Sequence, residues 1–132
     1  MYPHIISIFN QYDDENGDTH FNKVVISDVL FIRGDNTGRN KLDLTNADII
    51  TVYVNMNAVR DVEYIDGALY QSAGDKDRLF AFNKGDYIAF GDVGESDMNI
   101  NEFKNNTGNI YEVTGVTDYR VGSLKSLIVS AK

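Results

Sequence analysis

Apolar and polar positions alternate in short bursts along this chain, and clusters of Asn, Gly and Asp separate the bursts. Half-buried strands joined by tight turns give this pattern, because successive side chains on a strand point to opposite faces. Ile5–Phe9 is the first apolar run, and Asp13-Asp14-Glu15-Asn16-Gly17-Asp18 follows it. Asn16-Gly17 is a strong hairpin signal, since both central residues of a type I′ turn need a positive φ that Asn and Gly tolerate. The chain then returns from Phe21 to Ile32 with Val24-Val25-Ile26 and Val29-Leu30-Phe31-Ile32 as its apolar parts. The opening predicts one hairpin over about residues 5–33, with a long second arm.

Gly34–Asn46 holds two Gly, three Asn and four charges, with only Leu42 and Leu44 as apolar anchors. It reads as a loop, and a loop of that length inside a compact domain is usually functional or mobile. Ile49–Asn55 is the clearest strand. Tyr64-Ile65 and Leu69-Tyr70 are weaker strand candidates around Asp66-Gly67. Leu79–Phe82 and Tyr87–Asp92 predict two strands joined by the turn Asn83-Lys84-Gly85-Asp86. Asn99-Ile100-Asn101-Glu102 resembles a capping box, so a short connector helix is expected there, stopped by Gly108. Ile110–Asp118 and Leu124–Ser130 form a closing hairpin around a turn at Tyr119–Ser123. Six to eight short strands with one short helix predict an all-β fold, a small antiparallel β-barrel or sandwich.

Composition strengthens that expectation. Val and Ile number 24 against 14 for Ala plus Leu, and β-branched side chains pack well on a pleated surface. At 132 residues, without repeats or a Pro/Ser linker, the chain reads as one domain over residues 1–132. It has no cysteine, which removes disulfides, thiolate metal sites and a cysteine nucleophile together. Met1-Tyr2-Pro3-His4 lacks the basic start of a signal peptide, and no apolar run reaches the ~20 residues of a membrane span. Synthesis in the cytoplasm and no membrane partner are therefore expected. The net charge of −8 argues against tight, sequence-independent nucleic-acid binding.

Candidate chemistry is sparse. The acidic cluster at residues 13–18 fails the EF-hand spacing and is explained by an exposed hairpin tip. Gly34-Asp35-Asn36-Thr37-Gly38-Arg39 lacks the Lys-Ser/Thr step and the helix of a phosphate loop. His4 and His20 are the only histidines, and formation of the first hairpin would bring the two near each other, as a metal site would need, although isolated histidines on a strand are usually plain surface residues. Tyr53, Tyr64, Tyr70, Tyr87 and Tyr111 offer either a stacking platform or ordinary strand packing. No nucleophile elbow and no general acid/base pair stand out, so no catalytic residue, metal or cofactor is assigned.

Three stretches recur in a familiar order: Ala47-Asp48-Ile49-Ile50-Thr51-Val52-Tyr53-Val54, then Leu79–Asp92 containing Asn83-Lys84-Gly85-Asp86-Tyr87, then Tyr111–Asp118 before Gly122-Ser123. In this the chain resembles, over about residues 45–132, the small head–tail joining or minor capsid proteins of phages and prophages of Gram-positive bacteria. It departs from them in having no Trp. The resemblance implies a non-enzymatic virion protein of the phage neck. Its role there would be a head-completion or stopper subunit forming a homo-oligomeric ring between portal–adaptor and tail proteins. DNA would pass through that ring without specific binding, since an acidic conduit repels it. Within that reading the loop Gly34, Asp35, Asn36, Thr37, Gly38 and Arg39 is the assembly contact, and Asn16, Gly17, Gly85 and Asp86 are structural turns. A tail terminator or tail-tube component is the nearest alternative. A carbohydrate- or oligonucleotide-binding β module is the alternative of another class.

Overall fold

The strand patterns close on themselves. In a computed structural model describing residues 2–34, 49–121 and 124–132, six antiparallel strands form a closed barrel. Side chains are described throughout these stretches except at 119–121 and 124. The strands are β1 (His4–Asp13), β2 (Thr19–Gly34), β3 (Ile49–Asn55), β6 (Tyr87–Phe90), β7 (Ile110–Val121) and β8 (Leu124–Ala131). Their order around the barrel is β1-β2-β3-β8-β7-β6, and β1 pairs with β6 to close it. Barrel and sandwich were equally open from the sequence; closure decides for the barrel.

Inward positions are filled by Ile6, Ile8, Val24, Ile26, Val29, Ile50, Val52, Val54, Ile88, Val113, Leu127 and Val129, all buried. A six-stranded barrel is narrow enough for side chains to fill it. Two irregularities let the strands curve. Opposite the register shift at His4/Ile5, Asp28 has φ 57°, and the inward set of β2 switches from even positions (Val24, Ile26) to odd ones (Val29). A second shift falls between Val113 and Gly115 on β7. An extra residue at each point bends the strand and increases its twist, as closure requires.

Residues 56–86 cross the barrel's end without joining it. Glu63–Tyr64 (β4) and Leu79–Phe80 (β5) form a two-stranded parallel ladder. The expected strand at Leu69-Tyr70 is instead the turn of helix α1 (Gly67–Tyr70). Asp66 redirects the chain there, its carboxylate accepting from the Ala68 N–H at 2.9 Å. The two strands expected on either side of the Asn83–Asp86 turn are both present, as Leu79–Phe80 and Tyr87–Phe90, but they do not pair with each other. Both edges of β6 are taken, by β1 and β7, and β5 pairs with β4. The turn itself is present: the Asp86 N–H donates to the Asn83 carbonyl at 3.0 Å, with Gly85 at φ 94°.

Helix α2 (Ile100–Thr107) is the expected connector. Asn99 caps it by accepting from the Glu102 N–H at 3.0 Å, and Gly108 ends it in the left-handed region. The closing turn is shorter than expected, because β7 runs on to Val121, paired with Leu124. No helix among the described residues is long and apolar enough to cross a membrane.

Candidate functional site

The outside of the barrel has two unlike flanks. On the β1–β6–β7 flank, Phe9, Ala89 and Ile110 point outward and are buried. The connection between β6 and β7 covers them, with Ile100 completing the cluster and Tyr87, Val93, Met98 and Phe103 packed around it. The segment before the helix, here the strap (Gly91–Met98), is fastened along its length. Ser7 Oγ donates to the Gly91 carbonyl and accepts from the Val93 N–H, at 2.6 and 3.0 Å. Lys23 Nζ reaches Asp92 and the Gly94 carbonyl, at 2.6 and 2.8 Å.

The β2–β3–β8 flank is different. Directly opposed residues of an antiparallel pair share a face, and the registers Leu30↔Tyr53↔Ile128 and Ile32↔Thr51↔Ser130 place these six side chains outside the barrel. Ile49 extends the same face and is 45% exposed, while Ile32 is 40% exposed. None of the seven is charged, in a chain whose net charge is −8. No described element packs over them. A closed barrel has no sheet edge to offer along this flank, so contacts made there are contacts of side chains.

Two polar clusters lie elsewhere. The first is buried beneath the Asn83–Asp86 turn. Asp86 is 2% exposed and accepts from the Gln11 N–H at 2.9 Å, the Asn83 N–H at 2.9 Å and Asn10 Nδ2 at 2.7 Å. Asn10 also bonds both backbone groups of Ala81, donating to its carbonyl at 2.6 Å and accepting from its N–H at 3.1 Å. Burial pushes the Asp86 carboxyl above its ordinary range, against the pull of its donors. Every arm of this cluster ends on the protein's own backbone or side chains, and it ties the turn to β1. Nearby, burial lifts the Tyr70 phenol to about 12.

The second cluster is at the hairpin tip. The loop is wider than the predicted two-residue turn: Asp14 and Asp18 close it, the Gly17 N–H donates to the Asp14 carbonyl at 3.0 Å, and only Gly17, at φ 83°, is left-handed. Asn16 keeps a negative φ, so the turn is not type I′. The Asp14 carboxylate is occupied, Oδ1 accepting from the N–H groups of Asn16 and Asp18. Its Oδ2 meets His20 Nε2 at 2.7 Å, and His20 Nδ1 meets Asp97 Oδ1 at 3.1 Å. The Asp14 hydrogen bond holds the imidazole above its ordinary pKa, and the same bond holds Asp14 below its own. An open groove of about 470 Å³ lies alongside, lined by His20, Phe21, Tyr87, Met98, Asn99 and Ile100.

The candidates read from the sequence separate in space. Gly34 ends β2; Asp35, Asn36, Thr37, Gly38 and Arg39 lie outside the described residues. His4 and His20 sit at opposite ends of the hairpin, paired with Val29 and Tyr12 respectively, so they do not meet. Among the described residues no three His, Asp or Glu side chains converge as a metal ion would need. The five tyrosines form no platform. Tyr111 lies inside the barrel against Phe31, Tyr64 packs on Phe80 and Phe82, Tyr70 is buried, and Tyr87 meets Phe21 beneath α2. Of the five, Tyr53 is on the β2–β3–β8 flank, which no described element covers. The pairings Asn10–Asp86 and His20–Asp97 span 76 and 77 positions, with no local pattern to join them.

No curated protein and no solved structure matches the chain. The profile of one protein family does, across residues 2–132, and the chain therefore belongs to DUF6751, a family of unknown function.

Proposed function

We propose that this chain is a structural subunit of a phage head–tail joint. It assembles through its uncharged β2–β3–β8 flank into a ring of identical copies between the portal–adaptor assembly and the tail. The observation that carries the reading is the uncharged β2–β3–β8 flank, Leu30, Ile32, Ile49, Tyr53 and Ile128 with Thr51 and Ser130, on an otherwise acidic barrel. Copies carrying −8 each repel one another at most approaches. The contact that avoids this repulsion is the face whose described side chains include no carboxylate, and apolar burial there is favourable. A ring needs a head-to-tail contact, in which this face meets a different face of the next copy.

The sequence resemblance to head–tail joining proteins gives the reading its place in the virion. The net acidity suits a wall that DNA must slide past without sticking. The scattered tyrosines give no support to a carbohydrate- or oligonucleotide-binding module, which needs its rings on one accessible face. A tail-terminator role would use the same flank with different neighbours above and below.

The test is genetic and structural together. Particles made without this chain are expected to stop as DNA-filled heads beside finished tails, and complementation by Ile128→Glu is expected to fail although the variant folds. Normal tailed particles in the chain's absence would overturn the joining role. Full complementation by Ile128→Glu would overturn the flank as its contact.

A further inference from the structure

The strap and the hairpin tip meet at one side chain, His20. Both of its ring nitrogens face carboxylate oxygens, Asp14 Oδ2 at 2.7 Å from the hairpin loop and Asp97 Oδ1 at 3.1 Å from the strap. An ionised carboxylate only accepts hydrogen bonds, and a neutral imidazole has a single N–H to give. Both contacts are therefore made together only by the imidazolium. Asp97 is held in place by the same neighbourhood. Its Oδ1 also accepts from the Phe21 N–H at 3.0 Å, and its own N–H donates to the Phe21 carbonyl at 2.9 Å. Its backbone sits at φ 60°, a region that Asp visits only at some cost and that surrounding contacts must maintain.

Other groups line the same corner. Tyr12 stacks on it with centroids 5.4 Å apart, and the Lys76 ammonium lies 5.1 Å from the Tyr12 ring. Asp77 and Asp97 both act on Tyr12 through space. The charged groups facing this corner are thus Asp14 from the hairpin loop, Asp97 from the strap, and Lys76 and Asp77 from the turn before β5.

We propose that His20 is a proton-operated latch that, while protonated, fastens the strap and the start of α2 to the hairpin tip through Asp97 and Asp14. On deprotonation the imidazole keeps the shorter bond to Asp14 and gives up the longer one to Asp97. The upstream fastenings at Ser7 and Lys23, the latter including the Lys23 N–H that donates to Ser96 Oγ at 3.0 Å, do not titrate with it, so the strap loosens from Asp97 towards Asn99 rather than detaching. The surface that gains freedom covers the apolar row Phe9, Ala89 and Ile110. This latch does not rest on the head–tail reading and holds for any function of the barrel.

The sign follows from the two shifts. His20 is raised, so its contribution is complete below the unfolded imidazole value of about 6.5 and is lost as pH rises through the higher folded value. Asp14 is lowered, so its contribution is lost only as pH falls through its depressed value. The latch is closed between them.

The experiment is an NMR pH titration of the full chain, following the His20 ring protons together with amide exchange over residues 94–103, corrected for intrinsic rate. The wild-type chain is expected to show a His20 midpoint above about 6.5 and a several-fold rise in strap exchange across that midpoint. In Asp97→Asn, which tolerates a positive φ and still accepts from Phe21, the midpoint falls and the strap exchanges at one pH-independent rate. His20→Gln gives that same pH-independent behaviour by removing the titrating group itself. Flat strap exchange across the wild-type midpoint, or a midpoint unmoved by Asp97→Asn, would overturn the latch.

Discussion

Asp86 shows how much one buried side chain organises here. It accepts three hydrogen bonds, from Gln11, Asn83 and Asn10, and so joins a turn to a neighbouring strand at a place water cannot reach. Replacing it by Asn keeps the shape but sets an amide donor against at least one N–H donor, and burial makes that mismatch expensive. Asp86→Asn is expected to lower unfolding stability in urea by about 2–4 kcal/mol, and an unchanged midpoint would contradict the clamp. Because the folded carboxyl is raised, the wild-type chain gains stability from this group as pH falls through the raised value towards about 3.8. Asp86→Asn removes that gain. Part of this site was legible in the sequence. Asn10 continues the inward phase of Ile6 and Ile8, and a polar residue in that phase announces a buried partner. Which partner was not legible, since 76 positions separate the two.

At the scale of elements, local chemistry decided what local chemistry can decide. Asn99, Glu102 and Gly108 mark the ends of α2 in the sequence, and the helix occupies that span. Asn99→Ala removes the side-chain acceptor for the Glu102 N–H and is expected to cost about 1 kcal/mol, read as a lower melting temperature with faster amide exchange in residues 100–103. An effect spread evenly over the whole barrel would contradict a local cap. Ile49–Asn55 was legible to the residue because nothing interrupts its alternation. β2 was legible only as a long arm, since the bulge at Asp28 switches its inward phase halfway along. Leu69-Tyr70 misled because two apolar residues carry no period, and the Asp66 cap outweighed their strand propensity.

At the scale of the molecule, alternation tells which face of a strand is buried and not which strand lies beside it. Hence an all-β fold could be read, while barrel closure through β1–β6 and β3–β8 could not. The same limit hid the β2–β3–β8 flank. Leu30, Tyr53 and Ile128 look like core residues in sequence, and only their cross-strand registers put them together on the outside. The flank gives this barrel a face on which the seven described side chains are uncharged, beside a flank sealed by its own strap and helix, an asymmetry suited to a subunit with neighbours on fixed sides. The most direct measurement is electron cryomicroscopy of the neck of phage particles that contain this chain. The account predicts a closed ring of these barrels between portal and tail, with Tyr53 and Ile128 buried against the adjacent copy. A neck without such a ring, or a ring whose β2–β3–β8 flank faces solvent, would contradict it.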